Sequence, residues 1–247
     1  MKMHVYGPSE EETPAVLIIH PILSSASSMK AALCDHMGPG LRFLVPDLSA
    51  HGDEASATYA SAAEEAASIH KWLASRGLLR LPLGFGASLG GVILFELLRF
   101  PNLSFDRLFI EGASFYSGGP VARVGGSILS RVMVAKHRKA VRDPEAGARK
   151  LARLYGEEAA RAMASSFAAM SEDSVRAIMH DCSHVSLPPL SPTTQRRPAA
   201  RAPRDPASLS AGGTARLARL GALRAHEPRL GRLRGNAAER RPGLGIY

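Results

Sequence analysis

The sequence predicts an α/β protein with a mainly parallel sheet and crossover helices. Three observations carry that prediction. Short apolar runs alternate with longer helical patterns through the first two-thirds of the chain. The runs are continuously apolar rather than alternating, as strands covered on both faces require. One of them passes directly into a glycine-rich joint, GFGASLGG (84–91), that opens a helix.

Taken in order, Met3 to Tyr6 is readable as an edge strand. AVLIIH (15–20) and LRFLVP (41–46) follow as buried strands, then LRLPLGF ending at Phe85 and DRLFIE (106–111). Between them, Ser27 to Met37 and Ala57 to Ser75 are Ala-rich and helix-prone, the second carrying Ile69, Trp72 and Leu73 at helical spacing. Leu89 to Phe100 gives a third helix. After Tyr116, SGGP and VGGS are expected to break regularity before a basic, Ala-rich stretch from Ile128 to His180 that reads as two or three helices. The AKHRKAVR cluster within it (135–142) interleaves cations with apolar residues at helical spacing, the pattern of a solvated helix face.

A chain of 247 residues with 45% apolar residues can bury one good-sized core. The net charge of +9 would suggest nucleic acid as partner, but residues 1–190 hold 19 basic and 19 acidic residues, and the excess lies in residues 191–247, with 12 Arg, no Lys and 3 acids. That segment has no Val, Phe, Met, Trp or Cys, and Arg, Ala, Pro, Gly and Leu fill 43 of its 57 positions. Pro198, Pro203 and Pro206 interrupt any strand, so it cannot supply buried sheet and reads as a largely disordered or weakly helical tail. Out-of-frame reading of a GC-rich coding sequence would yield this change, and a genuine Arg-rich interaction tail is the competing explanation. The first residues show no secretory signal pattern, no run approaches the roughly 18 apolar residues of a membrane span, and Cys34 and Cys182 are too few for a disulfide framework. A cytoplasmic protein with no membrane span and no nucleic-acid partner is expected.

Ser88 stands in the G-x-S-x-G pattern of Gly86 to Gly90, after a strand and before a helix, where a sharp turn pushes a hydroxyl up from the sheet. Gly86 and Gly90 meet the need of such a turn for positions without a Cβ. Two further stretches, IIHPIL (18–23) and VPDLSAHGDE (45–54), precede it. Taken together, order and spacing included, residues 1 to about 190 resemble an α/β-hydrolase-fold protein of the small esterase and lipase-like type.

The resemblance implies a sheet with a helical cap, and a division into a core (1–118), a cap with its return (119–190) and the tail (191–247), with the C-terminal strands of the fold missing or replaced. It implies Ser88 as nucleophile, with the amide of Leu89 as one oxyanion donor. Pro21 occupies the usual Gly position and has no N–H, so Ile22 is the second donor. The implied substrate is a small acyl compound cleaved through an acyl-enzyme, with no cofactor and no metal. Histidines such as His20 and His51, with Asp47 and Asp53, organise loops in this family. The acid and base should follow Ser88 in that order. Asp205 and His226 fit the order without a strand in front of either, and Glu111 at the end of DRLFIE is an alternative acid. His137, His180 and His184 belong to the cap or its exit and are weaker candidates for the base.

Overall fold

The computed structural model describes residues 1–10, 13–113 and 120–185, all within the unit Met1–Arg204, with side chains from residue 124 onward in the last of these segments. Five strands form one sheet: β1 (Lys2–Tyr6), β2 (Ala15–Ile19), β3 (Arg42–Asp47), β4 (Arg80–Ala87) and β5 (Ser104–Glu111). Their spatial order is β1-β3-β2-β4-β5, with β1 antiparallel to β3 and every other pair parallel. The period of two along β2 sorts its side chains. Leu17 and Ile19 join Leu44 and Leu81 beneath helices α2 (Ala62–Ala74) and α3 (Leu89–Leu97), while Val16 and Ile18 join Phe43 and Val45 against α1 (Ala26–Ala32). All five β2 side chains are buried, as the continuous apolar run predicts.

β5 departs from expectation. DRLFIE reads as a buried strand, yet Asp106, Arg107, Phe109 and Glu111 are exposed, and Phe109 retains 38% of its accessible surface. Among the described residues β5 pairs only with β4, and the helices of the second core cluster are α1 and the 3₁₀ turn Cys34–His36.

Local signals set the helix starts. Ser25 caps α1 by accepting from the Ser28 amide, and Ser61 caps α2 by accepting from Glu64 in an S-x-x-E arrangement. The second helix therefore begins at Ala62 rather than at Ala57, because the preceding residues serve a different partner. Tyr59 is buried and its amide donates to Ser174 Oγ at 3.0 Å, while its hydroxyl donates to Asp181 Oδ2 at 2.9 Å. The Ala62 amide donates to the same carboxylate oxygen at 2.6 Å.

Those partners lie on the last of four helices that follow β5: α4 (Pro120–Arg142), α5 (Pro144–Tyr155), α6 (Glu157–Ala169) and α7 (Glu172–Ser183). Four helices replace the expected two or three, and VGGS does not break α4 but lies inside it. The reason is packing. A Cβ on Gly126 would sit 2.6 Å from Ser183 Cβ, so glycine is what lets α4 approach α7. Arg138 then bridges the same two helices with paired 2.8 Å bonds to Glu172, whose carboxyl is held down to about 2, first by Arg138 and then by Arg176. Among the described residues no helix is long and apolar enough to cross a membrane.

Two neighbouring glycines should therefore respond in opposite directions. Gly126→Ala drives a methyl into Ser183 and should cost roughly 1–3 kcal/mol. Gly125→Ala meets nothing within 4 Å and should gain up to about 1 kcal/mol from helix propensity. Urea denaturation of the two variants, compared by midpoint at constant slope, checks both.

Candidate active site

Three non-glycine residues among those described have a positive φ: Leu23 (64°), Ala50 (66°) and Ser88 (49°). Each follows the C-terminal end of one of three adjacent strands, β2, β3 and β4. An L-residue in this region costs about 1–2 kcal/mol, so the strain of the fold is concentrated at one end of the sheet. In parallel α/β sheets that end is where ligands bind.

Ser88 sits at the joint of β4 and α3, with φ 49° and ψ −112°. Its amide donates to the Glu111 carbonyl at 2.7 Å, and its carbonyl accepts from Gly91 and Val92. The flanking glycines permit the turn. A Cβ on Gly86 would lie 2.5 Å from the Gly90 carbonyl oxygen, and one on Gly90 would lie 2.2 Å from that of Ile19. The backbone of α3 is thereby pressed onto the ends of β2 and β4. Ser88 itself is half-buried and caps nothing with its side chain.

Leu89 is the first residue of α3, and its amide has no hydrogen-bond partner among the described residues; nor has the amide of Ile22, in the loop after β2. Both are free to donate to a ligand. Leu89 is also at a helix N-terminus, where the macrodipole favours negative charge.

Two buried histidines shape these loops. His20 is completely buried; its Nδ1–H donates to the Pro21 carbonyl at 2.8 Å, which leaves Nε2 to accept the Leu48 amide at 3.2 Å. His20 thus ties the loop after β2 to the loop after β3. Burial, with the neighbouring His51, pushes its pKa down to about 3. His51 donates from Nδ1 to the Ser49 carbonyl, and burial lowers its pKa as well. Both rings are neutral at pH 7.

Asp47 is the hub of the loop after β3. Its Oδ1 accepts the Ala26 amide at 2.7 Å, and Oδ2 accepts the Asp53 amide and His4 Nε2–H, each at 2.9 Å. Gly52, at φ 51°, is required here because a Cβ would fall 2.2 Å from Asp47 Oδ1. Ligand atoms of His4, Asp47 and Asp53 lie within 4.8 Å of one another, but Lys2 Nζ, 2.7 Å from Asp53, already supplies the positive charge. The cluster is an ion-pair network that pins β1 to this loop.

Asp205 and His226 lie outside the described residues. Among those described, no imidazole or carboxylate hydrogen-bonds Ser88 Oγ. His137 is buried between helices and bonds the Met170 carbonyl, its ring edge-on to Phe167. His180 and His184 stack on each other at the end of α7. Glu111 meets Ser88 through its backbone carbonyl, and its side chain is exposed. The sequence offered no sign of the strain at Leu23 and Ala50, since neither position is glycine or asparagine.

No family model matches the chain, and no curated protein matches it. Solved structures do. A hydrolase from Pseudomonas aeruginosa superposes with a TM-score of 0.56 at 15% identity, over 75% of this chain and 69% of the other. MenH from S. aureus gives 0.55 at 14% identity over 75% and 73%. MGS-M2, an alpha/beta hydrolase enzyme from a deep-sea metagenome library of the Medee basin, gives 0.54 at 12% over 74% and 69%.

Neutral His20 makes stability depend on pH. Its folded pKa lies below the ordinary 6.5, so the unfolded chain takes up the proton more readily, and stability is complete above about pH 6.5 and lost as pH falls toward 3. At pH 5 the loss from His20 alone should be about 2 kcal/mol. Urea midpoints measured between pH 8 and 5 should fall steadily below pH 6.5, and His20→Asn should flatten that fall. With its sheet order, its strained strand-to-helix turn and these structural matches, the chain has the α/β-hydrolase fold.

Proposed function

We propose that this chain derives from a serine-dependent hydrolase that cleaves a carboxylic ester or related acyl bond through an acyl-enzyme. One observation carries the reading: Ser88 holds a strained positive φ between a strand and a helix, and the Leu89 amide beside it has no partner among the described residues. In the proposed reaction Ser88 Oγ attacks the acyl carbon while a base takes its proton, and the Leu89 and Ile22 amides hold the developing oxyanion. The base then protonates the leaving group, and water releases the acyl chain from Ser88. Helices α4 to α7 serve as the cap over the acyl pocket, residues 1–118 as the core, and residues 191–247 as the tail. Asp205 and His226 are the proposed acid and base, with Glu111 as the alternative acid. The substrate is a small acyl compound, and the protein acts in the cytoplasm.

A second reading, a catalytically impaired binding protein, is favoured by a specific observation: no described histidine or carboxylate bonds Ser88 Oγ. Serine without a base loses on the order of 10⁴- to 10⁶-fold in rate. The chain as it stands should therefore hydrolyse a short-chain nitrophenyl ester weakly, and a version whose reading frame is restored after Leu190 should hydrolyse it strongly. In that restored version a fluorophosphonate should label Ser88, and Ser88→Ala should abolish both signals. Labelling of Ser24 or Ser25 with Ser88 untouched would remove the assignment. Brisk turnover by the chain as it stands, abolished by His226→Ala, would instead place the base in the tail and end the frame-loss explanation.

A further inference from the structure

β5 is the last strand in the sheet order, and among the described residues its second edge is unpaired. The joint with β4 fixes which way its backbone groups point. The Glu111 carbonyl accepts the Ser88 amide, so Glu111 turns its backbone toward β4, and by the alternation of a strand Phe109 and Arg107 do the same. Leu108 and Ile110 therefore turn their N–H and C=O groups to the open edge. Gly112, at φ 63°, ends the strand directly after Glu111.

The side chains sort with the same period. Leu108 and Ile110 pack against the larger core cluster, while Arg107, Phe109 and Glu111 are exposed. Phe109 is in register with half-buried Phe85, and Arg107 with half-buried Leu83. Phe109 keeps 38% of its accessible surface, and neither Arg107 nor Glu111 has an ion-pair partner among the described residues.

An antiparallel strand laid on this edge must set outward-facing backbone groups against outward-facing groups, which restricts how a second β5 can pair with the first. With Arg107 on the two-fold axis, Arg faces Arg; with Glu111 on it, Glu faces Glu. With Leu108 or Ile110 on the axis, a charge faces Phe109. With Phe109 on the axis, Arg107 lies opposite Glu111 of the second copy at both ends of the pairing, Phe109 meets Phe109 in a closely spaced position without ladder bonds, and Leu108 and Ile110 exchange about four backbone hydrogen bonds between the copies. The strand is thus charge-complementary to itself in one register. The other terminal strand, β1 (KMHVY), has no acid to set against Lys2 in any such pairing.

We propose that the open edge of β5 is a homodimer interface, in which two copies pair antiparallel through residues 107–111 about a two-fold axis at Phe109. The pairing joins the two sheets, covers both Phe109 rings and satisfies the outward backbone groups of an otherwise open edge. The rest of the chain suits this edge less well. Pro188 and Pro189 lack the N–H that a ladder needs, and residues 191–247 hold 12 Arg and no Val or Phe.

Sedimentation velocity of the full chain over a concentration series tests the interface. The wild-type chain should form a dimer. Arg107→Glu and Glu111→Arg should each set like charges opposite one another and weaken the dimer about tenfold or more, and the double swap Arg107→Glu with Glu111→Arg should restore it. A second measurement reads the axis directly: Phe109→Cys should cross-link two copies under mild oxidation on a non-reducing gel, and Ser104→Cys, far from the axis, should cross-link no more than the wild-type chain with its Cys34 and Cys182. A wild-type chain that stays monomeric throughout the series would overturn the proposal and give the edge to the chain's own residues. An assembly indifferent to both charge reversals, a double swap that fails to restore the dimer, or equal cross-linking through positions 104 and 109 would overturn it as well.

Discussion

The fold turns on the contact between the N-terminus of α3 and the end of β2. Gly90 lies so close to the Ile19 carbonyl that even a methyl group would be 2.2 Å from its oxygen, and one on Gly86 would be 2.5 Å from that of Gly90. This backbone-on-backbone packing is what holds Ser88 at φ 49°. The strain is local, about 1–3 kcal/mol, and the surrounding apolar helix supplies the opposing force. In α3 every residue from Leu89 to Phe95 is buried, along with Leu97. Burial of side chains this size contributes about 1.5–3 kcal/mol each, enough to over-determine one strained residue.

The same end of the sheet is stiffened by polar groups that never reach solvent. His20 joins the loops after β2 and β3, and Asp47 collects the Ala26 amide from α1, the Asp53 amide from its own loop and a histidine from β1. Each of these groups is satisfied in its bonded state and costly if left unpaired, so the loops have few alternatives. The positive φ values at Leu23 and Ala50 are consequences of that wiring. They place the Ile22 amide, unpartnered among the described residues, in the loop after the strand beside the one that carries Ser88.

The helices after β5 are attached by a different device. Tyr59, fully buried, threads its hydroxyl to Asp181, and burial together with that carboxylate pushes the phenol's pKa up, so the proton stays in the bond. One carboxylate thus receives donors 119 and 122 residues distant in sequence, and also faces His180. At the end of the strand order, β5 presents exposed and half-buried residues along its whole length. An edge strand with an exposed Phe109 is a liability for association, and among the described residues nothing blunts it except the charges of Asp106, Arg107 and Glu111.

Local chemistry was readable in the sequence. The β2 and β3 strands followed from continuous apolar runs, and Gly86-x-Ser88-x-Gly90 marked a turn that only residues without Cβ can flank. The lack of any Val, Phe or Trp, and of any β-branched run, from Ser191 onward was equally plain from composition. What the sequence could not show are effects that arise between distant segments. The delayed start of α2 depends on Tyr59 meeting Ser174 and Asp181, and the survival of a helix through Gly125 and Gly126 depends on Ser183. The exposure of β5 depends on which elements lie beside it, not on its own apolar residues. The protonation of His20 and the Leu89 amide left unpartnered among the described residues were likewise decided by tertiary structure. Each is set by desolvation and by the one partner that packing brings within hydrogen-bond reach, and neither is written in a residue's neighbours along the chain.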